Sequence, residues 1–173
     1  MLKSFLPSEY VKSVHHIDPN ELKERGIEAI ITDLDNTLVS WDQPDATEEI
    51  IEWFEKVKAA QIKVIIVSNN NEKRVKTFSE PLNITFISKA RKPLSKAFKL
   101  ATNMLQIKKE KTVIIGDQLM TDILGGNRAG YHTILVVPIA KSDGFFTKFN
   151  RMMERKIMKR LKKQGLLDWE VEE

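Results

Sequence analysis

Five short runs of apolar, largely β-branched residues recur along the chain: IEAIITD (27–33), KVIIVSN (63–69), NITFIS (83–88), KTVIIGD (111–117) and YHTILVVP (131–138). Their apolarity is continuous rather than alternating, which marks strands covered on both faces, as in a parallel sheet. Helical patterns fill the intervals. DATEEIIEWFEKVKAA opens on acidic residues and sets Ile50, Phe54 and Val57 on one face. NEKRVKTFSE is shorter, PLSKAFKLATNMLQI starts at Pro93, and LMTDILGGNRAG stops at Gly130. Strand and helix alternating in this way predict an α/β fold, a doubly wound parallel sheet of Rossmann-like character.

The same pattern divides the chain into three. Residues 1–26 read as a helical lead-in, with DPNELKERG a capped short helix ending at Gly26. Residues 27–140 form the α/β core. Residues 141–173 read as a loop followed by a basic amphipathic segment, in which Phe146, Phe149, Met153 and Ile157 follow helical spacing.

Composition narrows the function classes. With 173 residues, 42% hydrophobic, the chain suits one globular domain with a real core. It contains no cysteine, so a disulfide framework, a thiolate metal site and a cysteine nucleophile are all excluded. The first residues lack the apolar stretch and cleavage site of a signal peptide, and no run approaches the roughly 18 apolar residues of a membrane span. The expectation is a cytoplasmic protein, at most peripheral at the inner face of the membrane. Residues 141–164 carry nine Lys/Arg against Asp143 and Glu154, so the formal net charge of +4 belongs to the tail. Such a tail has three readings: a helix covering its own sheet, a contact with an anionic membrane through its cations and Phe145, Phe146 and Phe149, or a nucleic-acid footprint.

Candidate chemistry sits where the strands end. In open α/β sheets ligands collect outside the carboxyl ends of the strands. There the first run ends in Asp33 and Asp35, the second in Ser68 and Asn69, and the fourth in Gly116 and Asp117, while Lys92 precedes the helix after the third. In an extended chain, residues two apart point the same way, roughly 6.5–7 Å apart. A phosphoryl group fits between two such carboxylates: the first attacks phosphorus, and the second protonates the leaving alkoxide and later deprotonates water. Two acids repel a phosphate dianion, so positive charge is required. Asp33 and Asp117 offer oxygen ligands for a hard cation such as Mg²⁺, and Lys92 adds a point charge. The Ser68 hydroxyl and the backbone N–H groups after Asp35 can donate to phosphoryl oxygens.

These residues resemble the signatures of the haloacid dehalogenase-like phosphohydrolases. DLDNT matches their DxDxT motif, VSN their second motif, RKP their lysine motif and GDQLMTD their GDxxxxD motif, over about residues 27 to 138. The resemblance implies Asp33 as a nucleophile forming an aspartyl-phosphate and Asp35 as general acid/base. It implies Ser68, Asn69 and Lys92 in the phosphate-binding set, and Mg²⁺ on Asp33, Asp117 and the Asp35 carbonyl, with Asp122 a further metal-site residue. DLDNTL, KARKP and GDQLMTDILGGNRAGYHTILV are similar to the subfamily that joins bacterial YqeG-type proteins to mitochondrial phosphatidylglycerophosphatases. That likeness implies dephosphorylation of phosphatidylglycerophosphate in phospholipid biosynthesis. Only 27 residues separate Asp35 from Lys63 and 23 separate Ser68 from Lys92, too few for a cap domain. An open site suits a phosphate displayed on something large. The alternatives are a phosphatase of a phosphoprotein or nucleic-acid end, and a basic nucleic-acid or ribosome-binding module with a vestigial site.

Simpler readings exist for single residues. Asp33 and Asp35 alone can cap a turn, Ser68-Asn69 can be turn residues, and Asp122 can be a helix-dipole acid. Gly125 and Gly126 can allow close packing, Asn127 and Arg128 can cap or pair, and Trp41 can pack at the rim. His15, His16 and His132 have no metal-ligand spacing.

Overall fold

The computed structural model describes residues 2–140 and 145–167, the side chains of 145–148 excepted. Six strands form one sheet: β1 (Glu9–Val11), β2 (Ala29–Thr32), β3 (Lys63–Val67), β4 (Thr85–Ile87), β5 (Thr112–Gly116) and β6 (His132–Val136). Their order is β1-β6-β5-β2-β3-β4, and every pairing is parallel. From β2 the chain runs to β3 and β4 on one side, then crosses to β5 and β6 on the other, where β6 pairs with the earlier edge strand β1. The fold is the doubly wound α/β sheet that the pattern predicts.

Continuous apolarity in the runs has its cause in the period of two. Ile30 and Ile66 bury against one layer with Ile50, Trp53, Phe54 and Val57 of helix α2 (Glu48–Ala59). Ile31, Ile65 and Ile114 face the other layer with Ala97, Phe98 and Ala101 of α4 (Lys96–Leu105). Both faces are covered, so neither set of alternating positions is polar. Local signals set the helix starts: the Thr47 side chain accepts from the Ile50 amide, and at α3 (Glu72–Ser79) Asn71 accepts from the Arg74 amide.

The lead-in departs from expectation. It contains α1 (Pro19–Glu24), capped by Asp18, and two 3₁₀ turns, Leu2–Phe5 and Val14–His16, but also the edge strand β1. Three half-buried residues create no apolar run, and β1 exists through its register with β6, Glu9 opposite Ile134. Its neighbours Leu2 and Phe5 pack with Leu119, Ile123 and Leu135. Pro93 is also displaced from its expected place: it stands in the loop after Lys92, and α4 begins at Lys96. Gly125 and Gly126, on α5 (Leu124–Ala129), do serve close packing. An added Cβ would lie 2.7 Å from the Phe98 ring and 2.6 Å from Thr133 Cγ2, respectively.

The basic segment is helix α6 (Phe145–Lys163). Ile157, Met158 and Leu161 are buried against Leu119, Ile123 and Leu135, whereas Phe149 and Met152 are exposed. The apolar face is therefore rotated from the expected one. Phe149 falls outside it, and the Phe145 and Phe146 side chains lie outside the described residues. Each fully buried side chain of this kind contributes about 1.5–3 kcal/mol, so three of them favour the docked helix over a solvated one. Among the described residues, no helix is long and apolar enough to cross a membrane. Leu161→Ala is expected to lower stability by about 2–5 kcal/mol, and Met152→Ala by no more than about 0.5 kcal/mol, in urea unfolding. Equal effects would contradict the docked face.

Candidate active site

Parallel register brings four strand ends to one edge. Thr32 stands opposite both Ile66 of β3 and Ile115 of β5, so Asp33 lies between the ends of its neighbours, close to Ser68 and Asp117. This is the switch point where the chain's winding direction reverses, the place where such sheets bind ligands. After Asp33 the chain turns sharply. Asn36 adopts φ 62°, and its amide donates to the Val39 carbonyl at 2.6 Å.

Three of the predicted acids converge. Asp33, Asp117 and Asp122 are buried, and each offers a carboxylate oxygen within 4.8 Å of the others. Lys92, also buried, bridges two of them: its Nζ donates to Asp33 Oδ1 at 2.9 Å and to Asp122 Oδ1 at 2.6 Å. Burial alone would lower the ammonium's pKa, but Asp122 and then Asp33 outweigh it and hold Lys92 firmly charged. Burial pushes the Asp122 carboxyl up to about 6, with Lys92 opposing and Asp33 reinforcing the shift. Burial and the Asp33 charge likewise raise Asp117 well above the usual carboxylate range. Three carboxylates in this space repel one another, and the triad is an oxygen-only donor set that suits a hard divalent cation.

Asp122 reaches the triad because of a glycine. It belongs to a π-helical turn, Leu119–Ile123, leading into α5, and its carboxylate lies over Gly116 at the end of β5. A Cβ on Gly116 would fall 2.3 Å from the Asp122 carboxylate. The glycine of the GDQLMTD stretch thus makes room for the last acid of the same stretch.

Asp35 stands apart from the triad. Its Oδ2 accepts from Asn70 Nδ2 at 2.8 Å and its Oδ1 from Arg74 Nε at 3.0 Å, while Arg74 also donates to the Pro44 carbonyl. Asp33, Asp35, Ser68, Asn69 and Lys92 line one cavity of about 280 Å³, together with Asn36, Trp41, Asn70, Gln118 and Thr121. The Ser68 hydroxyl accepts from the Asn70 amide, and Trp41 sits at the rim, 48% exposed. The Asn69 amide is engaged at both ends by Lys92: its Oδ1 accepts from the Lys92 backbone N–H at 2.7 Å and its Nδ2 donates to the Lys92 carbonyl. The side chain of Asn69 therefore places the lysine.

Three residues to which the sequence assigned no place in the site complete the arrangement. The Thr37 hydroxyl donates to Asp117 Oδ1 at 3.0 Å. Arg151, from α6, pairs with Asp117 Oδ2 and donates to the Asp117 carbonyl at 3.0 Å. Glu154 accepts from Arg151 at 3.2 Å and from the Met120 amide at 3.3 Å. Thr37 lies inside the DLDNT stretch. The available signal for Arg151 was an acidic residue three positions on in an otherwise basic helix.

An acid-rich strand end, a bridging lysine and a second acid two residues on have a precedent. The chain belongs to the haloacid dehalogenase-like (HAD) hydrolases: residues 30–91 match the model for haloacid dehalogenase-like hydrolases, and residues 89–137 match a second, HAD-hydrolase-like model. It is 64% identical over 168 residues to "Probable phosphatase YqeG" of Bacillus subtilis (strain 168), covering 97% of this chain and 98% of that protein. It is 26% identical over 172 residues to "Phosphatidylglycerophosphate phosphatase 1, chloroplastic/mitochondrial" of Arabidopsis thaliana, spanning 49% of that longer chain and 93% of this one. The same fold occurs in the cobalt-bound deoxy-D-mannose-octulosonate 8-phosphate phosphatase of Haemophilus influenzae (TM-score 0.55, 17% identity, 85% of this chain and 96% of that one). The chain is a HAD-type phosphatase, a phosphoric monoester hydrolase.

Removing Lys92 leaves Asp33 and Asp122 buried without their shared cation. Lys92→Met is expected to cost about 3–5 kcal/mol of stability in urea unfolding at neutral pH. The loss should shrink as pH falls toward about 6 and level off below it, because without Lys92 to oppose burial the Asp122 carboxyl takes up its proton at a higher pH than in wild type. A pH-independent loss would contradict this charge arrangement.

Proposed function

We propose that the chain is a Mg²⁺-dependent phosphomonoesterase that works through an aspartyl-phosphate on Asp33 and acts on phosphatidylglycerophosphate. The observation that carries the reading is the division of labour between two carboxylates two residues apart. Asp33 is buried in the triad beside Lys92, and Asp35 stands at the cavity wall, held by Asn70 and Arg74. Asp33 attacks phosphorus as the bond to the leaving oxygen breaks, and Asp35 gives that oxygen its proton. Water then attacks the phosphoenzyme, Asp35 takes the proton back, and the phosphoryl–Asp33 bond breaks to release phosphate. Lys92, the Ser68 hydroxyl and backbone N–H groups after Asp35 hold the phosphoryl oxygens. Asp33, Asp117 and Asp122 would hold Mg²⁺, with the Asp35 carbonyl, and the ion would neutralise the charge that otherwise keeps a phosphate dianion away.

The lipid substrate is supported by three features. One relative carries that activity in its name. The segments between Asp35 and β3 and between Ser68 and Lys92 are filled by α2, by α3 and by β4, leaving the cavity without a cap domain. The cavity's surroundings also suit a bilayer. Exposed Trp41 lines the cavity, exposed Ile139 donates its amide to the carbonyl of the lining residue Asn36, and α6 turns Phe149 and Met152 outward beside exposed Lys156, Lys159 and Arg160. Near an anionic surface each such cation contributes about 1 kcal/mol. The cytoplasmic face of the membrane is the location this implies.

Phosphate release with Mg²⁺ from phosphatidylglycerophosphate in vesicles, beside soluble phosphomonoesters, tests the reading. Strong preference for the lipid is expected, with Asp33→Asn inactive but folded. Activity in Asp33→Asn would overturn the nucleophile, and turnover of soluble esters alone would overturn the lipid. Mg²⁺ affinity, measured by calorimetry, should fall as pH drops below about 6, because Asp122 and Asp117 must give up protons to bind the ion. An affinity flat between pH 5 and 7.5 would contradict the triad as its site.

A further inference from the structure

The basic C-terminal helix touches the acidic triad, and nothing in the phosphatase motifs accounts for that contact. Two residues one turn apart make it. Arg151 spans Asp117 with two hydrogen bonds, one to its main-chain carbonyl at 3.0 Å and one to its carboxylate Oδ2. Glu154 holds Arg151 through Oε2 and receives the Met120 amide on Oε1, at 3.3 Å, so it grips the turn that carries Asp122. Behind them Ile157, Met158 and Leu161 pack on Leu119 and Ile123 of that same turn. The helix therefore forms the back wall of residues 117–123.

We propose that α6 is a working part of the cation site, with Arg151 as the positioning residue for Asp117, so that helix docking and divalent-cation binding strengthen each other. A single guanidinium fork that takes both the carbonyl and the carboxylate of one residue fixes that side chain's rotation. With the Thr37 hydroxyl on Oδ1 and Arg151 on Oδ2, each oxygen keeps a second lone pair for a cation. Outer partners of this kind are typically worth about 10–100-fold in metal affinity. Coupling is reciprocal: a helix that improves cation binding is itself held more firmly when the cation is bound. The opposite reading makes Arg151 a rival that occupies the cation's electrostatic place on Asp117.

This rests on the cation reading of the triad, and calorimetric titration of Mg²⁺ or Mn²⁺ into the full chain separates the two. Wild type is expected to bind. Arg151→Gln should bind about 10–100-fold more weakly. Arg151→Lys should also be weaker, because an ammonium supplies the charge without the fork. Hydrogen exchange of the α6 amides in wild type should slow when the cation is added. Should Arg151→Gln fail to fold, Glu154→Gln, which loosens Arg151 while keeping Asp117 paired, is expected to weaken binding by a smaller factor. Tighter binding in a folded Arg151 variant would replace the proposal with the rival-cation reading. Unchanged affinity with a lowered melting temperature would reduce α6 to a structural cover. Absence of binding in wild type would remove the cation reading of the triad itself.

Discussion

Everything at the carboxyl edge of this sheet depends on three buried carboxylates sharing one small space. At an effective dielectric constant of 20, two unit charges 4 Å apart interact by about 4 kcal/mol. Repulsion within the triad is then of the same order as its attraction to Lys92. One lysine bridging Asp33 and Asp122 cannot balance three acids. Arg151 answers the remaining carboxylate from the far end of the chain, and the set still carries more negative than positive charge. That surplus suits the site to a divalent cation, and burial, reinforced by the Asp33 charge, makes Asp117 and Asp122 reluctant to ionise.

The fold exists to hold that arrangement still. Parallel pairing of β2 with both β3 and β5 places Asp33 between two neighbouring strand ends, and the reversal of winding opens a crevice there. Gly116 lets Asp122 lie across its own strand, and the Asn69 amide pins the lysine's backbone. Helix α6 closes the back through Leu119 and Ile123. The acid that stands free of the triad, Asp35, is held by α3 and the loop before it, so the two carboxylates are positioned by different elements.

Much of this was legible in the sequence, because local rules control it. Five of the six strands were visible as apolar runs, since both faces of a parallel sheet are buried. The convergence of Asp33, Asp35, Ser68, Lys92 and Asp117 followed from their places at consecutive strand ends, and DLDNT, RKP and GDQLMTD carried the family. What escaped depends on distant partners. β1 is a strand only because β6 offers it an edge. Arg151 meets Asp117 across 34 positions, and Arg74 meets Asp35 across 39. The α6 face was misjudged at Phe149 because its register is set by Leu119, Ile123 and Leu135, which the helix's own periodicity does not contain.

In the proposed reaction Asp33 carries the phosphoryl group and Asp35 moves the protons. Acid-quenched reaction of Asp35→Asn with an aryl phosphomonoester, whose leaving group departs without the proton that Asp35 would give, followed by peptide mass spectrometry, tests this directly. A phosphoryl adduct on the peptide containing Asp33 is expected, persisting because water is no longer activated to remove it. An unmodified Asp33 during turnover, or an adduct on any other residue, would contradict it.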